Sequence, residues 1–338
     1  MKYSVGIGIT NKCNLNCPHC YSREKQEYNL RYADVKKIVD NLDVDSINFG
    51  TGESILCDDF NEIIELLHSR NIKMSLTTNG YTVSKIGNLH LKYFNDIDFS
   101  LDFPEDKMHD AFRNGEMSEL VRKGISRCQE NGVQCSIAMA MMNCNYKYMD
   151  KQVENAQKMG VSLRVNVYKP VNNDNFKLTY EQFWEGIRLL FLNSSIVSCS
   201  EPIVNALIGN KVLDGGSPCG KKSLRIKPDG TIVPCVYMKE SSYSINEYID
   251  EISKNGYSKK LEKYSSDSSV IPDFCQNECQ YVDTCKGGCY ARRYYNGDIN
   301  EPDEYCFVKR KELPNIKFKW GPKKDLVHSE YLCTIIVC

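Results

Sequence analysis

Short apolar runs of strand length alternate with stretches of helical period through the first half of the chain. The runs are Tyr3 to Thr10, Asp45 to Phe49, Ile72 to Thr77, Ile97 to Leu101, Gln134 to Met142 and Ser162 to Val167. Between them, apolar residues recur every three or four positions over Ala33 to Asn41, Asp59 to Arg70, Val83 to Leu91, Glu116 to Asn131 and Tyr146 to Met159. Strands joined by helices of that length predict an α/β arrangement with a parallel sheet and right-handed crossovers. Such a sheet stays open and doubly wound or curls toward a barrel, and pattern alone does not choose. In either case ligands bind beyond the C-terminal strand ends, so the segments after the strands are where chemistry is expected.

The segment after the first run is Cys13-Asn14-Leu15-Asn16-Cys17-Pro18-His19-Cys20. Cysteine thiolates hold iron-sulfur clusters, and a four-iron cluster held by three of them keeps one iron open. A zinc site of the three cysteines with His19 is the alternative, but neighbouring His19 and Cys20 strain to share one tetrahedral ion. After the second run comes Gly50-Thr51-Gly52-Glu53-Ser54, where glycines let a ligand approach the backbone closely. Thr77-Thr78-Asn79-Gly80 closes the third run, with groups that line a pocket or cap a turn. Ser100-Leu101-Asp102 closes the fourth, and Arg164 in the sixth is either an anion-binding fork or a surface arginine.

The C-x-x-x-C-x-x-C spacing resembles the signature of the radical S-adenosylmethionine (SAM) enzymes. The resemblance implies a partial, six-unit (β/α)6 TIM-like barrel and a [4Fe-4S] cluster on Cys13, Cys17 and Cys20, whose open iron binds the SAM amino and carboxylate groups. Reduction of the cluster cleaves SAM to a 5'-deoxyadenosyl radical that abstracts a hydrogen atom. On the same resemblance, His19 stands near the adenine and the Gly50, Thr51, Gly52 and Glu53 segment meets the SAM amino group. Thr78 and Asn79 match the family's Thr-Asn-Gly. Ser100 and Asp102 stand where polar groups meet the carboxylate and ribose, and Arg164 is assigned to the carboxylate.

Pro170 to Asn175 is a polar turn cluster that ends the repeating pattern. It divides a radical SAM region, 1–170, from a bridging segment, 171–216, with helical runs at Tyr180 to Leu192 and Ile203 to Ile208. Phe183 and Trp184 in the first of these are expected in the core. Beyond lie Cys219, Cys235, Cys275, Cys279, Cys285, Cys289 and Cys306. Their order resembles the SPASM extension of radical SAM enzymes, a small cysteine-rich α+β domain with auxiliary clusters, expected over 217–310. The first gap of the cluster run is longer here by one residue. The resemblance assigns Cys275, Cys279, Cys285 and Cys306 to one four-iron cluster and Cys219, Cys235 and Cys289 to another, three [4Fe-4S] clusters in all. Some members carry an eighth cysteine soon after the first, but Gly220 to Arg225 contains none. That leaves an open iron, or a place for Cys333 or Cys338 of the 311–338 tail, whose apolar end is expected to pack as a strand or plug. A zinc ribbon is the alternative, although seven cysteines do not fill two closed sites.

Composition narrows the function. The chain has 338 residues, 17 cysteines and a formal net charge of −1. That length suits more than one domain, and the charge gives no sign of a nucleic-acid partner. There is no signal-peptide pattern and no apolar stretch near the roughly 20 residues that span a bilayer, so a cytoplasmic protein with no membrane partner is expected and the cysteines read as metal ligands, not disulfides. Seven fall outside the motifs. Most of these are expected as buried small hydrophobes, with Cys57 and Cys144 as candidates for a hydrogen donor or thiolate.

SPASM-type enzymes mostly modify peptides or proteins, by thioether or carbon-carbon crosslinks, epimerisation or side-chain oxidation, and the resemblance implies such a substrate. It also implies an electron donor such as flavodoxin or ferredoxin and, with the cluster motif so near residue 1, a separate leader-binding partner or direct recognition. Anaerobic sulfatase maturases place an aspartate after the second cysteine of the extension. Val236 follows Cys235 here, which disfavours their base. A small-molecule or cofactor-biosynthetic substrate is the alternative, and a non-catalytic electron carrier is the reading of another class.

Overall fold

A computed structural model of the chain describes residues 2–24, 26–212, 214–220, 223–238, 243–256, 258, 261, 271–327 and 333–338. All the expected strands of the first half form: β1 (Tyr3–Ile7), β2 (Val44–Phe49), β3 (Lys73–Thr78), β4 (Asp96–Ser100), β5 (Gln134–Met141) and β6 (Ser162–Val167). The connecting helices are α1 (Tyr32–Asn41), α2 (Phe60–Ser69), α3 (Tyr81–Lys85), α4 (Asn88–Leu91), α5 (Asp106–Arg113), α6 (Ser118–Glu130) and α7 (Met149–Lys158). The helix expected over Val83 to Leu91 is broken in two because Ile86 and Gly87 take extended conformations. Helix α5 had no counterpart in the sequence pattern, since His109 is its only buried residue.

Compactness divides the chain into two units, each discontinuous in sequence. The first comprises Met1–Ala138, Lys222–Ser258 and Leu326–His328, and the second Met139–Lys221, Lys259–Asp325 and Ser329–Cys338.

In the first unit, β1 pairs in parallel with β2, β2 with β3, β3 with β4, and β4 with β5 over Gln134 to Ala138. On its other edge β1 pairs in parallel with β8 (Ser223–Ile226), which follows α8 (Tyr180–Leu192), β7 (Ile196–Cys199) and α9 (Pro202–Ile208) in the chain. Antiparallel β9 (Thr231–Val233) and β10 (Tyr243–Ser244) extend the sheet and lead into α10 (Ile245–Asn255). Val5, Ile47, Met74, Leu76, Ile97 and Phe99 are fully enclosed, as expected for a parallel sheet covered on both faces.

In the second unit, β6 and β7 flank β11 (Ile335–Val337), antiparallel to both. The apolar tail is thus a strand, with Ile335, Ile336 and Val337 at 0% exposure, while 328–332 lie outside the described residues. The Thr179 hydroxyl caps α8 reciprocally with Gln182. Phe183 stacks on Tyr305 at 4.1 Å and the Trp184 indole donates to the Tyr305 carbonyl, so both aromatics are core. Among the described residues no helix is long and apolar enough to cross a membrane.

Candidate active site and cysteine centres

The C-terminal ends of β1 to β4 open into one cavity of about 450 Å³, within the range of small-molecule sites. Cys13, Cys17 and Cys20 line it from the loop after β1, together with His19, Gly50, Gly52, Glu53, Thr78, Asn79 and Ser100. The loop is held by its own backbone: Thr10 bridges Asn29, and the Leu30 N–H donates to the Ile9 carbonyl at 2.8 Å. It is also held from the next strand end. The Glu53 N–H donates to the Lys12 carbonyl at 2.8 Å, and the Tyr21 hydroxyl donates to the Gly50 carbonyl at 2.9 Å. Gly52 takes φ +63°, which brings its backbone under the cysteine loop.

Glu53 is buried and saturated. It accepts from the Thr78 hydroxyl (2.7 Å), the Thr82 hydroxyl (2.6 Å), the Thr82 N–H (3.1 Å) and the Asn79 N–H (2.5 Å). Burial pushes its carboxyl upward, and these donors work against that shift. Four committed donors make Glu53 the clasp between the Gly50–Ser54 turn and the Thr78–Gly80 turn. The Asn79 amide in turn donates to Asn14 at 2.9 Å, tying the third strand end to the cysteine loop.

Asp102 stands differently from the expectation at the fourth strand. Its side chain is fully enclosed behind the cavity wall and accepts from Arg113 Nε at 2.7 Å, with His19 Nε2 at 3.6 Å. Arg113, which lines the cavity, is a site residue that the sequence reading missed. It sits near Cys17 and Cys20 as well as Asp102, so one guanidinium balances a buried carboxylate and stands beside two thiols. His19 stacks on Phe112 at 4.9 Å, and burial lowers its pKa, which leaves the ring neutral. Thr51 abuts Gly8, and Tyr21 meets Tyr237 edge-on at 5.2 Å. Arg164 lies in the second unit, buried on β6 opposite Ile336 of β11.

Cys13 is exposed at the cavity wall, with Cys17 and Cys20 half-buried beside it, so three thiols crowd one face of the cavity. A thiolate in that setting calls for positive charge, which a bound metal centre provides. Three thiols, a glycine turn and convergent polar groups around one cavity fit an open-iron cluster with a polar ligand beside it.

In the second unit, Cys275, Cys279, Cys285 and Cys306 line a common tight pocket of about 10 Å³. Its walls are otherwise apolar, and burial raises Cys275 to about 12. The turn from Cys285 to Cys289 runs through Lys286, Gly287 and Gly288, all at positive φ. At Gly288 a Cβ would meet that of Asp303 at 2.3 Å. Asp303 accepts from the Cys289 N–H at 2.9 Å. Cys219 and Cys289 belong to this unit, and Cys235 belongs to the first, in the turn after β9. Among the described residues no three His, Cys, Asp or Glu side chains converge closely enough for a single ion. A four-iron cluster makes no such demand, since each thiolate takes its own iron.

Of the cysteines outside the motifs, Cys57, Cys128 and Cys199 are buried, while Cys135, Cys144, Cys333 and Cys338 are partly exposed. Burial raises Cys57, the opposite of what an activated thiolate needs.

Residues 7–156 match the profile of the Radical SAM superfamily. The mycofactocin maturase MftC of Mycolicibacterium smegmatis is 22% identical over 316 residues, covering 88% of this chain and 81% of that protein. The solved structure of native anSMEcpe with bound AdoMet superposes with a TM-score of 0.72 at 19% identity, over 91% of this chain and 95% of the other. Streptococcus suis SuiB bound to precursor peptide SuiA gives a TM-score of 0.71 at 16% identity, over 90% and 76%. These likenesses give the fold as the partial barrel with a cysteine-rich C-terminal region. The chain therefore carries, over residues 7–156, a match to the Radical SAM superfamily, on a fold shared with the solved structures named above.

Proposed function

We propose that this enzyme is a SPASM-type peptide maturase, which uses SAM to start radical chemistry on a peptide substrate. The carrying observation is the 450 Å³ cavity, where Cys13, Cys17 and Cys20 face the Gly50–Glu53 turn, Thr78, Asn79 and Ser100. When bound, the cluster and SAM supply a 5'-deoxyadenosyl radical that takes a hydrogen atom from the substrate. The chain's own residues do the positioning. Glu53 fixes two strand-end turns, Arg113 sets positive charge beside the thiols, and neutral His19 on Phe112 offers a flat apolar face to an adenine. Thr78, Asn79 and Ser100 offer hydrogen bonds to the amino-acid and ribose ends of SAM.

A peptide substrate is supported by the similarity to the mycofactocin maturase along most of both chains and by the fold shared with SuiB in complex with its precursor peptide. The cysteine pocket at Cys275, Cys279, Cys285 and Cys306 supports one auxiliary cluster, and Cys219, Cys235 and Cys289 are assigned to another. Flavodoxin or ferredoxin as reductant, a separate leader-binding protein and a cytoplasmic location complete the reading.

The test is anaerobic reconstitution, which should yield about twelve irons per chain, followed by reduction with SAM and candidate short peptides encoded beside the gene. Release of 5'-deoxyadenosine with a mass change in one peptide is expected. Failure to release 5'-deoxyadenosine under any of these conditions overturns the radical reading. Its release with small-molecule substrates alone overturns the peptide assignment.

A further inference from the structure

The second unit brings a cysteine from the tail to two of the expected auxiliary ligands. The Cys333 thiol lies beside those of Cys219 and Cys289, and Ser217 ties it to that corner: its hydroxyl lies 3.6 Å from the Cys333 sulfur and accepts from the Tyr290 N–H at 3.4 Å. The backbone that follows it is fixed. Ser200 N–H donates to the Thr334 carbonyl at 2.9 Å, the Thr334 hydroxyl donates to the Val165 carbonyl at 3.1 Å, and β11 begins at the next residue. Cys289 is fixed as well, through its N–H on Asp303. Lys169, itself buried, adds positive charge near the Cys289 and Cys333 thiols.

A grouping of three thiols, two of them on anchored backbone, with a cation beside it, has the chemistry of a ligand set and not of packed free cysteines, which need no mutual contact. The thiols run from one to the next without converging on a point, which suits a centre whose thiolates each take a separate iron. We propose that Cys333 is a ligand of the auxiliary cluster that Cys219 and Cys289 help to hold. It takes the place of the cysteine missing between Gly220 and Arg225, and it leaves that cluster no iron open to a substrate thiol. This rests on the reading of the second unit as a cluster-bearing region. It also moves substrate binding away from that cluster, so the cluster's role becomes electron transfer.

The experiment needs neither SAM turnover nor peptide. The reconstituted full-length protein is treated with iodoacetamide before and after iron chelation, and labelled cysteines are mapped by mass spectrometry. Cys333 should be protected together with Cys219 and Cys289, more than about tenfold slower than after chelation. Labelling of Cys333 while those two stay protected overturns the proposal. So does a protein that takes up zinc and no iron. In a Cys13→Ala/Cys17→Ala/Cys20→Ala background, which removes the SAM-binding cluster, imidazole should leave the electron paramagnetic resonance spectrum of the reduced protein unchanged. Adding Cys333→Ala should make it responsive. An imidazole response with Cys333 intact, or none without it, overturns the assignment. Protection of Cys333 without 5'-deoxyadenosine formation in the intact enzyme sinks the proposed reaction and leaves this ligand in place.

Discussion

At Gly52 an added Cβ would stand 2.4 Å from the Lys12 carbonyl and 2.6 Å from that of Thr10. Both are backbone atoms of the cysteine loop, so no side chain can swing aside to relieve the contact. Gly52→Ala should cost more than the about 1–3 kcal/mol of a strained left-handed residue and displace the loop. Iron bound per chain and the urea midpoint should both fall. In Gly132→Ala, where φ is +71° but nothing lies within 4 Å, iron should stay at the wild-type level. Equal iron content in both variants would refute this account. His109 makes the second residue-scale prediction. It is fully buried and accepts from the Asp102 N–H at Nδ1, 3.1 Å away, and burial with the Arg113 charge lowers its pKa to about 4. A depressed folded-state pKa contributes stability that is complete above the unfolded value near 6.5 and is lost as pH falls toward 4. The loss amounts to on the order of 3 kcal/mol across that window. Replacing His109 with Gln removes the titration, so the urea midpoint of the wild type should fall more steeply than the variant's between pH 7 and 5. Parallel slopes would show that His109 does not titrate with unfolding. The turn glycine was legible in the sequence as Gly-x-Gly-Glu, but the Asp102, Arg113 and His109 cluster was not, because it joins positions that share no period.

Helix α5 shows why. Its sequence, Asp106 to Arg113, is mostly polar and buries only His109, so no apolar stripe announces it, yet it delivers both Arg113 and His109 to the site. The strands were legible for the opposite reason: covered on both faces, they read as continuous apolar runs bounded by turns. A buried ion triad in the second unit was equally hidden. Arg292 Nε and Nη2 reach Asp303 at 3.0 and 2.7 Å, and Nη1 reaches Glu201 at 3.0 Å, with all three side chains at 0% exposure. Glu201 precedes α9, Arg292 sits in the helix Tyr290–Tyr295, and Asp303 also holds the Cys289 N–H, so the triad locks the elements around that cysteine. Removing the cation strands two buried carboxylates, a cost of about 3–5 kcal/mol. Arg292→Met should therefore lose auxiliary iron and lower the urea midpoint, while spectra of the SAM-binding cluster keep their wild-type form. Undiminished auxiliary iron would mean the triad does not position Cys289.

At the scale of the whole molecule, what escaped the sequence is pairing between distant segments. Parallel β8 joins β1 across more than two hundred residues of chain, and β11 inserts between β6 and β7. Periodicity marks a strand but not its neighbour, so the tail reads as a buried strand or plug with no assigned place in the sheet. Its insertion makes the last residues part of the second unit's sheet. Cys338 exchanges backbone hydrogen bonds with Ser195 at 2.9 and 3.0 Å, and Ile335, Ile336 and Val337 are wholly enclosed. Burying three such side chains contributes about 5–9 kcal/mol at most, comparable with the whole stability of a typical domain, about 5–15 kcal/mol. Deleting residues 333–338 also exposes the facing edges of β6 and β7, which become sites for pairing with other chains. The truncated protein should be largely insoluble, and whatever remains soluble should lose amide protection in both strands by hydrogen exchange. Cys333→Ala leaves the ladder in place, so it should keep that protection and change only the auxiliary centre. A soluble truncation with β6 and β7 still protected would show that the tail strand is dispensable to the fold, whereas lost protection in Cys333→Ala would show that the ligand and the strand cannot be separated.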